Sequence, residues 1–460
     1  MTVVYDGGHI GLRPQCGICG GAMMIHEKFV ALLENGTSTA SSNLTKVSTF
    51  PDYGQNIRLH TSPISEDLIS IPLSEILAWE RGGLPVLAYA TPPKPIVRLT
   101  IDSHGVRKVE RLPKKPLYRG QRSDSAVFVI LEENSLKRIT MHCKFGYSRL
   151  ELHDRDLCVQ VWDTPTPPDP DQCMLSQPWP ANSAQFRTIN LNQSTGLTFF
   201  FDLGNVYAIH SHTVTTPCAR QTYERLSRRR QRSVTWLYLP IPPNDDVVLF
   251  GLGRADNFLF RMRLAGDIAI GPSYPRDNQN FIFSKSPPIS LIHDTADLQR
   301  ISIVGSYSTK CLESELVAPF GHPECIIPPF QNAYPSWAPL ENVIGLQVFY
   351  NEENGFCRGL LLEYENGAQR ALGQCRIGVD PVHVYINPTH ICFLRTTYSP
   401  ARAPTYSPPR TPLQLKTVRV GCASGEHNHD EKGWVCSGMA ANLEFWFTNE
   451  QTDLRAMIYD

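Results

Sequence analysis

Apolar residues in this chain come in short alternating runs punctuated by glycine, and two such runs repeat one pattern. Gly196-Leu197-Thr198-Phe199-Phe200-Phe201-Asp202-Leu203-Gly204 leads on to Ile209, and Gly359-Leu360-Leu361-Leu362-Glu363-Tyr364-Glu365-Asn366-Gly367 leads on to Leu372. In each copy a Gly-Leu pair opens a strand, an aromatic follows at the same offset (Phe201, Tyr364), and a second Gly turns the chain back. A period of two with glycine at the turn is the signature of a β-hairpin, not of a helix. A looser echo runs from Phe258 to Gly271, where Phe258, Phe260, Met262 and Leu264 alternate with Arg261 and Arg263 before Gly266. The pattern predicts an all-β fold that reuses a hairpin module.

Composition agrees with that expectation. Of 460 residues, 37 are Pro and only 19% are charged, which suits many short strands and tight turns better than long helices. An apolar fraction of 42% is ample for more than one core. The predicted fold class is mainly β: two related antiparallel β modules of prism, sandwich or barrel type behind a small N-terminal Cys-bearing segment. Four regions follow. Residues 1–90 form a Cys-x-x-Cys segment with a short helix at Ser74–Arg81, where Leu73, Ile76, Leu77 and Trp79 gather on one side. Residues 91–162 form a β region with strands over Val97–Ile101 and Ala126–Leu131. The run Asp163–Asp171, rich in Pro and Asp, is a boundary, because it cannot sustain a hydrogen-bond ladder. Residues 176–295 carry the first repeat and 296–460 the second, with an exposed loop at Ser399–Pro412 and a closing strand through Leu443, Phe445 and Phe447.

The hairpin at Asn342–Gly373, with its Gly-Leu-x-x-x-Tyr-x-x-Gly core, is similar to the hairpins of jacalin-related β-prism lectins. That resemblance implies a lectin-like fold with carbohydrate as a partner. Neither Gly421–Gly433 nor the end at Asp460 reproduces the sugar-binding loop of that family. The chain as a whole resembles an uncharacterised family of filamentous-fungal proteins. The matching blocks are Cys16-Gly17-Ile18-Cys19, Trp162–Pro168, Gly196–His210, Leu372–Arg376 and Leu443–Thr448. This second resemblance implies no activity.

Few residues signal chemistry. Cys16 and Cys19 have the spacing of half a tetrahedral zinc site, with His26, His60 or the His142-Cys143 pair as further ligands. A plain buried turn and a redox dithiol are the competing readings. Cys422, His427, His429 and Cys436 form a second set of metal-compatible side chains, but their spacing matches no standard zinc module, and a polar surface loop is the preferred reading. Arg225, Arg228, Arg229, Arg230 and Arg232 make a basic run suited to partner contact, weighed against a solvated loop. His210 and His212, two apart on a strand, face the same way and could ligate or contact a partner, weighed against ordinary hydrogen-bonded histidines. Tyr207 and Trp446 are candidate exposed aromatics for a binding surface.

Nucleophile-elbow, phosphate-loop, His-Glu-x-x-His and dinucleotide glycine motifs are missing. The net charge of −1 argues against a globally basic nucleic-acid binder. No apolar run is long enough to span a bilayer, and 13 scattered cysteines fit a reducing compartment, so a cytoplasmic or nuclear location is expected. The leading expectation is a non-catalytic intracellular binding or scaffolding protein with a protein or carbohydrate partner. The alternatives are a hydrolase acting on a glycan or other polymer, and a zinc-dependent nuclear regulator.

Overall fold

The computed structural model describes residues 2–6, 9–13, 68–88, 93–153, 159–178, 184–253, 257–272, 281–283, 287–295, 300–308, 320–321, 327–399, 414–423, 425 and 427–457. Over these the protein is mainly β, built of several antiparallel sheets, none of which closes into a barrel. Cys16, Cys19, His26 and His60, with most of the Ser399–Pro412 loop, lie outside the described residues. The chain divides into two compact units. The first is Met1–Thr188 with Ile292–Asp297 and Ser302–Val304, and the second is Ile189–Leu291 with Leu298–Ile301 and Gly305–Asp460.

In the first unit, strands Gln160–Trp162, Val127–Glu132, Ile96–Asp102, Gly105–Leu112, Ile76–Glu80 and Val86–Leu87 are successive neighbours in one sheet. Val127–Glu132 is central, as its unbroken apolar sequence predicts, and Val97, Leu99, Val127, Val129 and Leu131 are all buried. Strands Ile69–Pro72, Ile139–Lys144 and Tyr147–Leu152 form a second sheet, and Ile71, Met141 and Leu150 pack into the same core. Asp163, at the head of the Pro/Asp run, is buried in this unit. It pairs with the Arg122 guanidinium at 2.9 Å and accepts hydrogen bonds from the backbone N–H and hydroxyl of Thr188.

The helix expected at Ser74–Arg81 is not there. A short 3-10 turn, Leu73–Glu75, runs straight into strand Ile76–Glu80. Its apolar residues fall three apart because the pairing register shifts between Ile76 and Ala78. A bulge adds one residue to the period of two, so Ile76 and Trp79 both reach the core from a strand.

The second unit is organised around the first repeat. Strand Gly196–Asp202 is paired on one side with Asn205–His212 and on the other with Thr235–Pro240, and all seven of its residues are buried. Phe199 meets Phe258 at 4.8 Å between ring centroids, and Phe201 meets Tyr334 at 5.6 Å. Phe200 points the other way, edge-on to Trp236 at 4.8 Å. Strand Cys357–Tyr364, which carries the second repeat, is likewise an inner strand, between Gln369–Gly373 and Val343–Tyr350. Strand Asn442–Phe447 does not close a sheet at its edge. It lies between Tyr334–Pro339 and Thr452–Met457 and is buried on both faces, which is why Trp446 is 2% exposed rather than part of a binding surface.

The opening glycine of each repeat marks a close approach. A β-carbon at Gly196 would enter the Tyr238 ring, and one at Gly359 would sit 2.7–2.8 Å from backbone atoms of Leu372 and Gln374. Backbone cannot move aside as a side-chain tip can. Gly359→Ala is therefore expected to destabilise the chain by about 1–3 kcal/mol. Gly438→Ala, where a β-carbon meets nothing within 4 Å, should stay within about 0.5 kcal/mol of the parent. Urea melts of the two variants check the contrast.

Burial also stores a pH dependence. It pushes the Cys143 thiol from 9.0 up to about 11 and the Cys173 thiol up to about 12, and it raises the Tyr334 hydroxyl from 10.0 to about 12. An unfolded chain releases these protons at lower pH than the folded one does. The folded chain thus binds more protons in that window, and its stability falls as pH rises through it. The melting temperature should be flat near pH ~8 and decline from about pH 9 upward; a flat profile to pH ~11 would contradict the assignment.

Candidate metal centre

Strand His390–Tyr398 runs between Leu415–Ala423 and Val435–Gly438 in a three-stranded sheet of the second unit. Cys392 stands directly opposite Gly421 on one neighbour and directly opposite Cys436 on the other. Opposed residues of antiparallel strands share a face, so the two thiols meet on the same side of the sheet. The chain between Ala423 and Val435 brings His427 and His429 over that face. One ligand atom from each of Cys392, His427, His429 and Cys436 lies within 4.8 Å of all the others.

The inner contacts are shorter. The His427 Nε2 is 2.9 Å from the Cys392 Sγ and 3.4 Å from the Cys436 Sγ, and the His429 Nε2 is 3.1 Å from the Cys436 Sγ. A tetrahedral ion with bonds of ~2.0–2.3 Å spaces its ligand atoms ~3.3–3.8 Å apart, so the cluster needs only a small expansion to enclose one. The His427 ring is already set for the task. Its Nδ1–H donates to the Gly425 carbonyl at 3.0 Å, which leaves the lone pair on Nε2 facing the sulfurs. The His429 ring is stacked on Trp434 at 4.5 Å with only 6° between the planes. Gly433, at φ +99, makes the turn that returns the chain into the strand. Burial first, and contact with Cys436 second, push the Cys392 thiol up to about 12, so a metal ion would have to displace its proton.

This centre differs by one residue from the set suggested by spacing. Cys422 is adjacent to Gly421 and so points through the opposite face of its strand, away from the histidines. Its place is taken by Cys392, which is remote in sequence and becomes visible only when the strands are paired. His427, His429 and Cys436 do come together, and with Cys392 they make a group that could hold a metal ion.

The other sequence candidates are placed differently. His210 and His212 are buried: Nδ1 of His210 is 2.9 Å from the Thr222 hydroxyl, and Nε2 of His212 is 2.7 Å from the Thr198 hydroxyl. The Arg run folds into two short helices, Arg220–Arg225 and Arg228–Ser233, the second capped by the Ser227 hydroxyl. Arg228 and Arg229 are exposed. Arg230 is not free: it pairs with Asp202 and covers the Tyr207 ring at 3.8 Å, pinning its helix to the first-repeat hairpin. His293, in the first unit, is buried as well. Burial pushes it down to about 3, so the imidazole is neutral at ordinary pH.

No protein-family model matches the chain, and no curated protein sequence matches it either. No helix among the described residues is long and apolar enough to cross a membrane.

The two possible ligand sets are separable by experiment. In titrations with cobalt(II), the parent and Cys422→Ser should give the same thiolate-to-metal charge-transfer band. Cys392→Ser and Cys436→Ser should each weaken it markedly and lower affinity by at least ~10-fold.

Proposed function

We propose that this chain is a non-catalytic β-sheet binding or scaffolding protein whose second unit is locked by a structural zinc ion. The supporting observation is the convergence of Cys392, His427, His429 and Cys436 within 4.8 Å. Two thiols and two imidazoles are a donor set that suits zinc, and four protein ligands complete a tetrahedron. A catalytic zinc keeps one position for water or substrate, and this set leaves none. The ion would tie the loop that carries the histidines to the middle strand of its sheet. The loop would then be a fixed surface, which is what a binding protein needs from a loop on a rigid scaffold. Asn428, Asp430, Glu431 and Lys432 on that loop are exposed, as are Arg228 and Arg229 elsewhere in the unit. Charged, ordered positions of this kind favour a protein partner.

Elemental analysis of the full-length chain purified without chelators should return about one zinc per molecule bound by this centre. Stripping it should lower the melting temperature, and zinc restored at ~100 times its dissociation constant should return about 2.7 kcal/mol. Cys16→Ser/Cys19→Ser should leave that zinc in place, whereas Cys392→Ser should lose it. Zinc-free protein that melts identically with and without added zinc would overturn the proposal.

A further inference from the structure

We infer that Cys392 and Cys436 are also an oxidation site for hydroperoxides, closing to a cross-strand disulfide that expels the metal ion. This inference rests on the zinc reading above and assigns its regulation. The two cysteines are directly opposed in the register of strands His390–Tyr398 and Val435–Gly438, on one face. Opposed positions in an antiparallel pair have Cα atoms ~4.5–5.5 Å apart, inside the ~4.4–6.8 Å range of disulfides. Their sulfurs already belong to one cluster within 4.8 Å. Few backbone adjustments separate the two forms, because the thiols that hold the ion are the thiols that would bond.

The two positions differ in a way that orders the chemistry. Cys436 is exposed, and Cys392 is buried at 1% exposure. A hydroperoxide meets Cys436 first. The Cys436 thiolate attacks one peroxide oxygen, an S–O bond forms, the O–O bond breaks, and the departing oxygen takes a proton from solvent. The Cys392 thiolate then attacks the Cys436 sulfur, an S–S bond forms, and the S–O bond breaks with hydroxide leaving as water after protonation. For hydrogen peroxide the balance is two thiolates, one peroxide and two protons giving one disulfide and two waters. The sulfurs lose two electrons and the peroxide gains them. Zinc departs as the divalent ion, unchanged in oxidation state, because a disulfide offers it no thiolate. Cys422 takes no part, since it lies on the other face of the sheet. Release of the ion frees His427 and His429, and with them the loop that the ion had fixed.

The test uses the zinc-loaded full-length chain, hydrogen peroxide, and a chromophoric zinc chelator too weak to strip the untreated protein. Zinc content is measured first. The expected result is release of one zinc per chain, in step with a Cys392–Cys436 disulfide in peptide maps, and re-uptake after a dithiol reductant and added zinc. Cys422→Ser should behave as the parent does. Zinc that is bound and then retained while other cysteines oxidise overturns the inference and leaves the zinc reading standing. So does zinc released with oxidation mapped to sulfinic acid, to Cys16–Cys19 or to a Cys422 disulfide. A chain that binds no zinc overturns both.

Discussion

Every residue of the strand Gly196–Asp202 is buried, so neither of its faces can serve as a surface. Much of the second unit follows from hiding it. Phe199 and Phe201 need aromatic partners on one side and find them in Phe258 and Tyr334, which belong to two further sheets. Phe200 needs cover on the other side and finds Trp236 and Tyr223, the latter on a short helix. The basic helix that follows is held down by Arg230 on Asp202 and Tyr207, both in the hairpin this strand begins. A run that reads as a candidate contact surface is thus partly structural. Arg230 covers the hairpin, while Arg228 and Arg229 face outward.

Alternation and turn glycines made the strands legible, because burial on one or both faces leaves a period of two or an unbroken apolar run. Val127–Glu132 and Phe258–Met262 lie where such runs occur. The helix at Ser74–Arg81 failed for a definite reason. A bulge between Ile76 and Ala78 produces a spacing of three, which in sequence alone is indistinguishable from one turn of helix. Trp446 failed differently: it sits on a strand flanked on both edges, and which strands are flanked is a property of topology. The metal centre was legible by three quarters. His427, His429 and Cys436 are close in sequence, but Cys392 joins them only across a strand pairing, and local spacing carries no information about which cysteine lies opposite another.

The centre also separates two kinds of histidine. His210, His212 and His293 are buried, where a charge is costly, and each has a hydroxyl or carbonyl partner. Burial depresses His212 and His293, which favours the neutral ring and so supports packing rather than proton exchange. His427 instead spends its Nδ1–H on a nearby carbonyl and turns its other nitrogen toward sulfur. The same residue type therefore serves cohesion in one place and is set for coordination chemistry in another, and the difference lies in what the second ring nitrogen faces.

The sheet that holds the centre joins His390–Tyr398 to Leu415–Ala423 through a long connection, while the cluster gathers at the opposite end of the same strand pair. Pairing the two strands closes that connection at a cost in chain entropy. The cost of such a closure grows only as the logarithm of the length enclosed, about 0.6 kcal/mol per doubling. Lengthening the connection between Tyr398 and Leu415 is consequently of small thermodynamic expense, provided the strand pairing beside it is kept.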